Sequence, residues 1–424
     1  MLDLILRKVR LADQEALVDI AIRDGVIVDI VPNLVADGPS YDLDGNLVCP
    51  GFVETHIHLD KACLMDRSGD HDGTLASAIM AVAKAKAAFT EDDVYNRGRK
   101  TIEKAIVQGT NTMRTHVETD PRVDLRSFNA IRQLKKDYAW ALDLQICVFP
   151  QEGLTNDPGT EDLLRQALDQ GADLLGGCPY TDRDPLAQID RLFKLAVDFD
   201  VDLDFHLDFD LEPSWNHLDE VVRKTVAHGW QGRVTVGHVT KLSMLPPAEL
   251  QAMAKRLVDA DIAVTVLPST DLFLMGRGQH YAVPRGVAPA YLLAEQGVRC
   301  SISTNNVLNP FTPYGDCSLV RMANLYANIA QIGDMPGLST CFDMVTEAAA
   351  RIVGRDHAIG IGVPATLIAL PAADKAKVVA EITRPSFGMK NGRMTFHQPA
   401  AELYGPNHSD AEFIAGSLPP PFAR

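Results

Sequence analysis

Between residues 51 and 306 the chain carries eight short apolar runs, each followed by a stretch of different texture, and this alternation constrains the fold more than any other feature. The runs are GFVETHIHL, GTNTMRTHVE, DLQICVFPQ, ADLLGGCP, VDLDFHLDF, RVTVGHV, DIAVTVLP and VRCSISTNN. Such runs suit strands covered on both faces, as in a parallel sheet. The intervening segments have helical period and start signals: TEDDVYNRGRKTIEKAIVQ opens on Thr90 followed by acids, and PLAQIDRLFKLAVDFD opens on a proline. Eight β-then-α units predict an α/β fold of the (β/α)8 TIM-barrel type, whose working groups sit at the C-terminal ends of the strands.

The two ends of the chain read differently. From Met1 to Leu47, short alternating runs are broken by Asp24-Gly25 and Asp44-Gly45-Asn46, both hairpin-type turn signals. A similar texture returns in PATLIALPAA and SFGMKNGRMTF, with Lys390-Asn391-Gly392 as a further hairpin signal. The expected organisation is a small, discontinuous β-sandwich domain from residues 1–50 and 360–424, flanking a barrel over residues 51–359. The final GSLPPPFAR reads as a loosely held tail.

A hydrophobic fraction of 46% and a charged fraction of 23% are those of an ordinary soluble protein. The formal charge of -16 opposes nonspecific binding to nucleic acid or to an anionic membrane. Seven scattered cysteines without a C-x-x-C pair read as reduced thiols. With no signal-peptide pattern and no span of ~20 apolar residues, the expected location is cytoplasmic. A homo-oligomer is compatible with these features.

Polar residues collect where the apolar runs end. His56 and His58 close the first run, His116 the second, Gln151 and Glu152 the third, His206 and Asp208 the fifth, His238 the sixth, and Asn305 and Asn306 the eighth. Side chains two apart on a strand share a face, so His56 and His58 point the same way. Histidines from several strand ends suit a Zn or Fe ion, because neutral imidazoles donate nitrogen without adding charge. Any one histidine, taken singly, is as well explained as a core or solvated side chain.

These motifs carry a resemblance. PGFVETHIHLDK resembles the first-strand motif of the amidohydrolase superfamily, and RTHVE, VFPQEG, DFHLD and VTVGHVT are similar to later motifs of its cytosine deaminase branch, which includes N-isopropylammelide aminohydrolase. The similarity runs through nearly the whole chain, to RPSFGMKNGRM. It implies a metal-dependent hydrolase that cleaves a non-peptide C–N bond of a small heterocycle such as a pyrimidine, triazine or cyclic amide. It also implies one divalent ion, Zn or Fe, on His56, His58, His206 and His238, and a substrate ring held by Gln151. The run ADLLGGCP has no lysine to bridge a second ion.

The sequence departs from the family pattern twice. Asn305 stands where members place a metal-binding aspartate that accepts the water proton, and Phe209 stands where cytosine deaminases place a proton-shuttling glutamate. An amide is no general base near neutral pH. Three readings follow: the protein is a working hydrolase in which Asp208, taken to share a strand face with His206, serves as base or shuttle, so that His238 or Asp208 moves the protons; the site is repurposed as a lyase, isomerase or ligand binder; or position 305 carries a deliberate replacement. Lys61 is expected to bind an anionic substrate group or to be solvated, and Asn306 and His116 to line the pocket. Asp60 is expected to hold a histidine or a loop amide, and Arg114 to pair with a strand-end carboxylate or line the pocket. Arg277, Arg285 and Asp316 are placed at the mouth, the two arginines suiting a substrate carboxylate if they are not solvated.

Overall fold

The computed structural model describes residues 1–403 apart from 13, 15, 70, 71 and 402. The GSLPPPFAR segment lies outside the described residues. The chain begins with five strands, β1 (Leu4–Leu11), β2 (Val18–Arg23), β3 (Val26–Val31), β4 (Ser40–Asp42) and β5 (Leu47–Cys49). Eight more follow: β6 (Phe52–Ile57), β7 (Thr110–Glu118), β8 (Asp143–Phe149), β9 (Leu174–Gly177), β10 (Asp202–Leu207), β11 (Val234–His238), β12 (Ile262–Val266) and β13 (Cys300–Ile302). The last three are β14 (Leu367–Leu370), β15 (Phe387–Lys390) and β16 (Arg393–His397).

Strands β6 to β13 pair in sequence order, every pair parallel. Each falls within one of the eight apolar runs, and the residues of β6, β7, β9, β11, β12 and β13 are buried throughout. The first and last runs meet just past β13: Asn305 N–H donates to His56 O and His58 N–H to Asn305 O, each at 2.9 Å. This seam closes the sheet into a barrel, and it places residue 305 against the two histidines of the first strand.

The helices begin where their caps predict. Thr90 accepts from Asp93 N–H ahead of Glu91–Val107, whose first turn holds Glu91, Asp92 and Asp93. Asp184 accepts from Ala187 N–H ahead of Pro185–Phe199, with proline at the first position.

A second sheet joins both ends of the chain in the order β16-β15-β14-β5-β1-β2-β3. Its own core includes Leu6, Val9, Ile20 and Ile22 from the N-terminal part and Leu367, Ala369, Phe387 and Met389 from the C-terminal part. Asp24-Gly25 and Asn391-Gly392 both turn with positive φ (52° and 74°, 50° and 76°), as two-residue hairpins require. The hairpin tips touch: a Cβ on Gly25 would lie 2.6 Å from Asn391 O, so a larger residue there would part them. The third signal behaves differently. Asp44-Gly45 does not reverse the chain, because β4 and β5 both pair parallel to β1, one after the other. The register of β1 against β2 shifts between Leu6 and Val9, with Lys8 at φ 51°, and Gly45 N–H meets Lys8 O there. The turn steps across a bulge instead of making a hairpin.

Candidate active site

The strand-end histidines converge. His206 Nε2 lies 3.0 Å from His56 Nε2 and 3.0 Å from His58 Nε2, with all three residues buried. A neutral imidazole carries one proton, so His206 Nε2 can satisfy at most one of these contacts as a donor. The Nδ1 atoms of the same three residues are buried without a partner, as is Asn305 Oδ1. Burial, reinforced by neighbouring positive groups, holds all three pKa values well below 6.5, so each ring keeps a lone pair. Neighbouring ligands of a tetrahedral zinc at ordinary Zn–N lengths lie roughly 3.3 Å apart. Ring nitrogens of His56, His206 and His238 lie within 4.8 Å of one another and His58 Nε2 lies 3.0 Å from His206 Nε2, a set of nitrogen donors that fits one divalent cation.

His238 stands at the edge of this group, and its ring nitrogen can join those of His56 and His206 within 4.8 Å. Its Nδ1 lies 2.6 Å from Asp271 Oδ1, and Asp271 Oδ2 accepts from Leu267 N–H. Burial raises the Asp271 pKa above its ordinary value, against the pull of His238. Phe209 stacks on the His238 ring at 3.8 Å. His238 and Val239 both have positive φ (69° and 41°), and a β-branched residue there marks a strained turn at the end of β11.

Asp271 lies in the helix Pro268–Leu274 that follows β12. No residue signal singled it out, because nothing in the sequence ties it to His238, 33 positions away.

Asp208 does not take the place expected for it. Strand β10 ends at Leu207, and Asp208 turns to φ 48°, which breaks the alternation that would align it with His206. Its two oxygens accept from His217 N–H (2.8 Å) and Leu218 N–H (3.1 Å), so the carboxylate anchors the next helix. His116 stacks on His56 at 3.8 Å and lies 3.4 Å from Asp204, which also takes Arg114 Nη1 at 2.8 Å. Arg114 is thus a buried partner of a strand carboxylate. Asp60 accepts from the N–H of Glu118, the last residue of β7, so among the described residues it holds a strand-end amide and not a histidine or a loop amide.

Lys61 is buried, and its Nζ donates to Glu118 Oε1 (2.8 Å) and Gln151 Oε1 (3.0 Å). Glu118 Oε2 accepts from Lys86 at 2.7 Å, and Lys86 also contacts Asp120 and Glu152. Glu118, Asp120 and Glu152 have metal-ligand spacing, but the Lys86 ammonium already sits among them. Burial and the charge of Glu118 push the Glu152 carboxyl up to about 8. The expected pairing of Lys61 with a substrate anion therefore meets a lysine that already has its counter-ion.

Asn306 Oδ1 accepts from Asn309 Nδ2 at 2.7 Å. The mouth residues are engaged locally: Arg277 donates to Phe273 O, Arg285 to Ile329 O, and Asp316 accepts from Arg321. The seven cysteines are all free thiols.

A parallel eight-stranded barrel with a convergent polar site at its strand ends defines the chain as one of the barrel proteins that work through that face. The family model described as "Amidohydrolase family" matches residues 128–396, and the chain belongs to that family. Among similar proteins, the N-isopropylammelide isopropyl amidohydrolase of Pseudomonas sp. (strain ADP) is 26% identical over 405 residues, 92% of this chain and 96% of that one. The pterin deaminase of Rhizobium rhizogenes is 30% identical over 84% of this chain and 82% of its own. The crystal structure of 5-methylcytosine deaminase from Klebsiella pneumoniae, liganded with 5-fluorocytosine, aligns with a TM-score of 0.89 at 28% identity, covering 95% of this chain and 99% of that one. Among the described residues no helix is long and apolar enough to cross a membrane.

Proposed function

We propose that this chain is a hydrolase using one divalent ion, Zn or Fe, to cleave an exocyclic or ring C–N bond of a small nitrogen heterocycle. The observation that carries the reading is the approach of the His56 and His58 Nε2 atoms to His206 Nε2, with His56, His206 and His238 offering ring nitrogens within 4.8 Å of one another and His238 held by a buried aspartate. His56, His58 and His206 would hold the ion, with Asn305 Oδ1 and His238 at its edge. When bound, such an ion lowers the pKa of water toward neutrality and polarises the carbon under attack.

The chain's own residues handle the proton. Asp271 takes the His238 Nδ1–H, which fixes the tautomer and leaves the Nε2 lone pair free. His238 Nε2 accepts the proton lost by the attacking water and returns it to the nitrogen of the breaking bond, so that an amine or ammonia leaves. Asn305 orients without accepting a proton, and Asp208 has its oxygens committed to the backbone, so the base role falls to the His238–Asp271 pair. Gln151 and Asn306 offer amide groups to the substrate ring, and Phe209 packs His238 in place.

Amino-substituted pyrimidines, triazines and pterins, incubated with zinc- or iron-loaded protein, test the proposal by release of ammonia or amine. We expect turnover that falls at least a hundredfold on chelation, about 2.7 kcal/mol of barrier. Asp271→Asn should lower kcat by tenfold or more, about 1.4 kcal/mol, with metal content unchanged. Turnover indifferent to chelation contradicts the proposal.

A further inference from the structure

The Lys61–Gln151 bond decides which end of an amide the substrate meets. An ammonium has donors and no acceptor, so it must face the oxygen of the Gln151 carboxamide, as it does at 3.0 Å. The nitrogen is turned away, toward Cys178 Sγ at 3.3 Å just past β9, where the Tyr180 hydroxyl also meets Gln151 and Cys178. Burial pushes that thiol up to about 12, so the sulfur is neutral and a weak acceptor, easily exchanged for a better one. Gln151 itself follows β8, whose last residue, Phe149, stacks flat on His206 at 4.6 Å. The amide therefore stands beside the histidine cluster.

A second amide is locked the same way. Asn309 Oδ1 accepts from Phe311 and Thr312 N–H, which turns its Nδ2 toward Lys61 O and Asn306 Oδ1. Asn306 thus has its oxygen engaged, and its Nδ2 has no partner among the described residues.

Lys61 brings no surplus positive charge to this edge. Its ammonium is balanced by Glu118, which is shared with Lys86, and Lys86 meets two further carboxyls, Asp120 and Glu152. Two ammonium groups face three carboxyl groups, and a substrate anion placed here would gain little.

We infer that Lys61, anchored by Glu118, is a positioning residue that locks the Gln151 carboxamide nitrogen away from itself, so that the site selects an uncharged heterocycle presenting a ring carbonyl. The carbonyl oxygen accepts from this edge, whereas an amino group in its place offers only donors and a carboxylate brings an unbalanced charge. The inference rests on the histidine end of the barrel being the substrate site.

Calorimetric binding of pyrimidin-2-one, 2-aminopyrimidine and pyrimidine-2-carboxylate to the protein as purified tests this without requiring turnover. Wild type should bind the oxo compound at least tenfold more tightly than the other two. Lys61→Met, checked for folding by its thermal transition, should shrink the oxo-to-amino preference to within about threefold. Gln151→Glu keeps an acceptor for Lys61 but removes the nitrogen, and should weaken oxo binding tenfold or more. A preference retained in either variant overturns the inference. So does a wild type that favours the amino compound or the carboxylate, discriminates among none, or binds none. If the preference behaves as expected while no heterocycle is hydrolysed, the hydrolase proposal fails and this inference stands.

Discussion

Two buried polar clusters lie at the same end of the barrel, and they are built on opposite terms. One is His56, His58, His206 and Asn305, uncharged groups with converging nitrogens and several atoms that lack any partner. The other is Lys61, Lys86, Glu118, Asp120 and Glu152, five ionisable groups that bind one another at close range. Each supplies residues to a triad with metal-ligand spacing, His56 and His206 with His238 in the first and Glu118, Asp120 and Glu152 in the second. The difference lies in where the cation comes from. In the carboxylate cluster the chain supplies it as the Lys86 ammonium, which closes the cluster; in the histidine cluster the chain supplies only donors, which leaves it open to a ligand. Spacing alone does not make a metal site: among the described residues the histidine cluster leaves three Nδ1 atoms and Asn305 Oδ1 without a partner, whereas in the carboxylate cluster only Glu152 Oε1 lacks one and an ammonium already sits at the centre.

Removing the internal cation should produce the largest change. Lys86→Met leaves Glu118, Asp120 and Glu152 without their shared partner, and breaking a buried pair from one side costs about 3–5 kcal/mol. Urea denaturation should show a markedly lower midpoint in the variant. A midpoint equal to wild type would mean that the carboxyls are already neutral and that the cluster is not ionic.

A smaller effect concerns protons. With its carboxyl pushed up to about 8 from an ordinary 4.5, Glu152 keeps in the folded state a proton that the unfolded chain has lost across that window. Folded-state stability contributed by this group is full below about pH 4.5 and declines as pH rises toward 8. Glu152→Gln should remove that decline, flattening stability between pH 5 and 8 by roughly 3 kcal/mol. Midpoints measured across the range check it, and an unchanged slope would place the titration elsewhere.

The histidine cluster was far more legible in the sequence than the charged one. Parallel strands buried on both faces write themselves as apolar runs, and a polar residue closing such a run stands out, so all eight strands and the four histidines could be read from the chain. Lys86 gave no comparable signal: it ends the helix Leu75–Lys86 among other alanines and lysines, and only the tertiary fold buries it. Asp271 reaches His238 from the loop-helix of the next strand, a contact with no sequence period. The reading of Asp208 failed because strand alternation was carried one turn too far, past the point where its backbone enters the left-handed region. Asp44-Gly45 failed for a related reason, since its turn angles are those of a hairpin while a bulge in β1 decides what the turn connects.

The contrast between an open and a closed cluster is tested most directly by metal stoichiometry. Protein incubated with zinc, desalted and analysed by elemental mass spectrometry should hold one ion per chain in wild type and in Glu152→Gln, and less than a tenth of one in His206→Ala. An ion that survives His206→Ala, or one that is lost in Glu152→Gln, would place the metal in the carboxylate cluster and contradict the account.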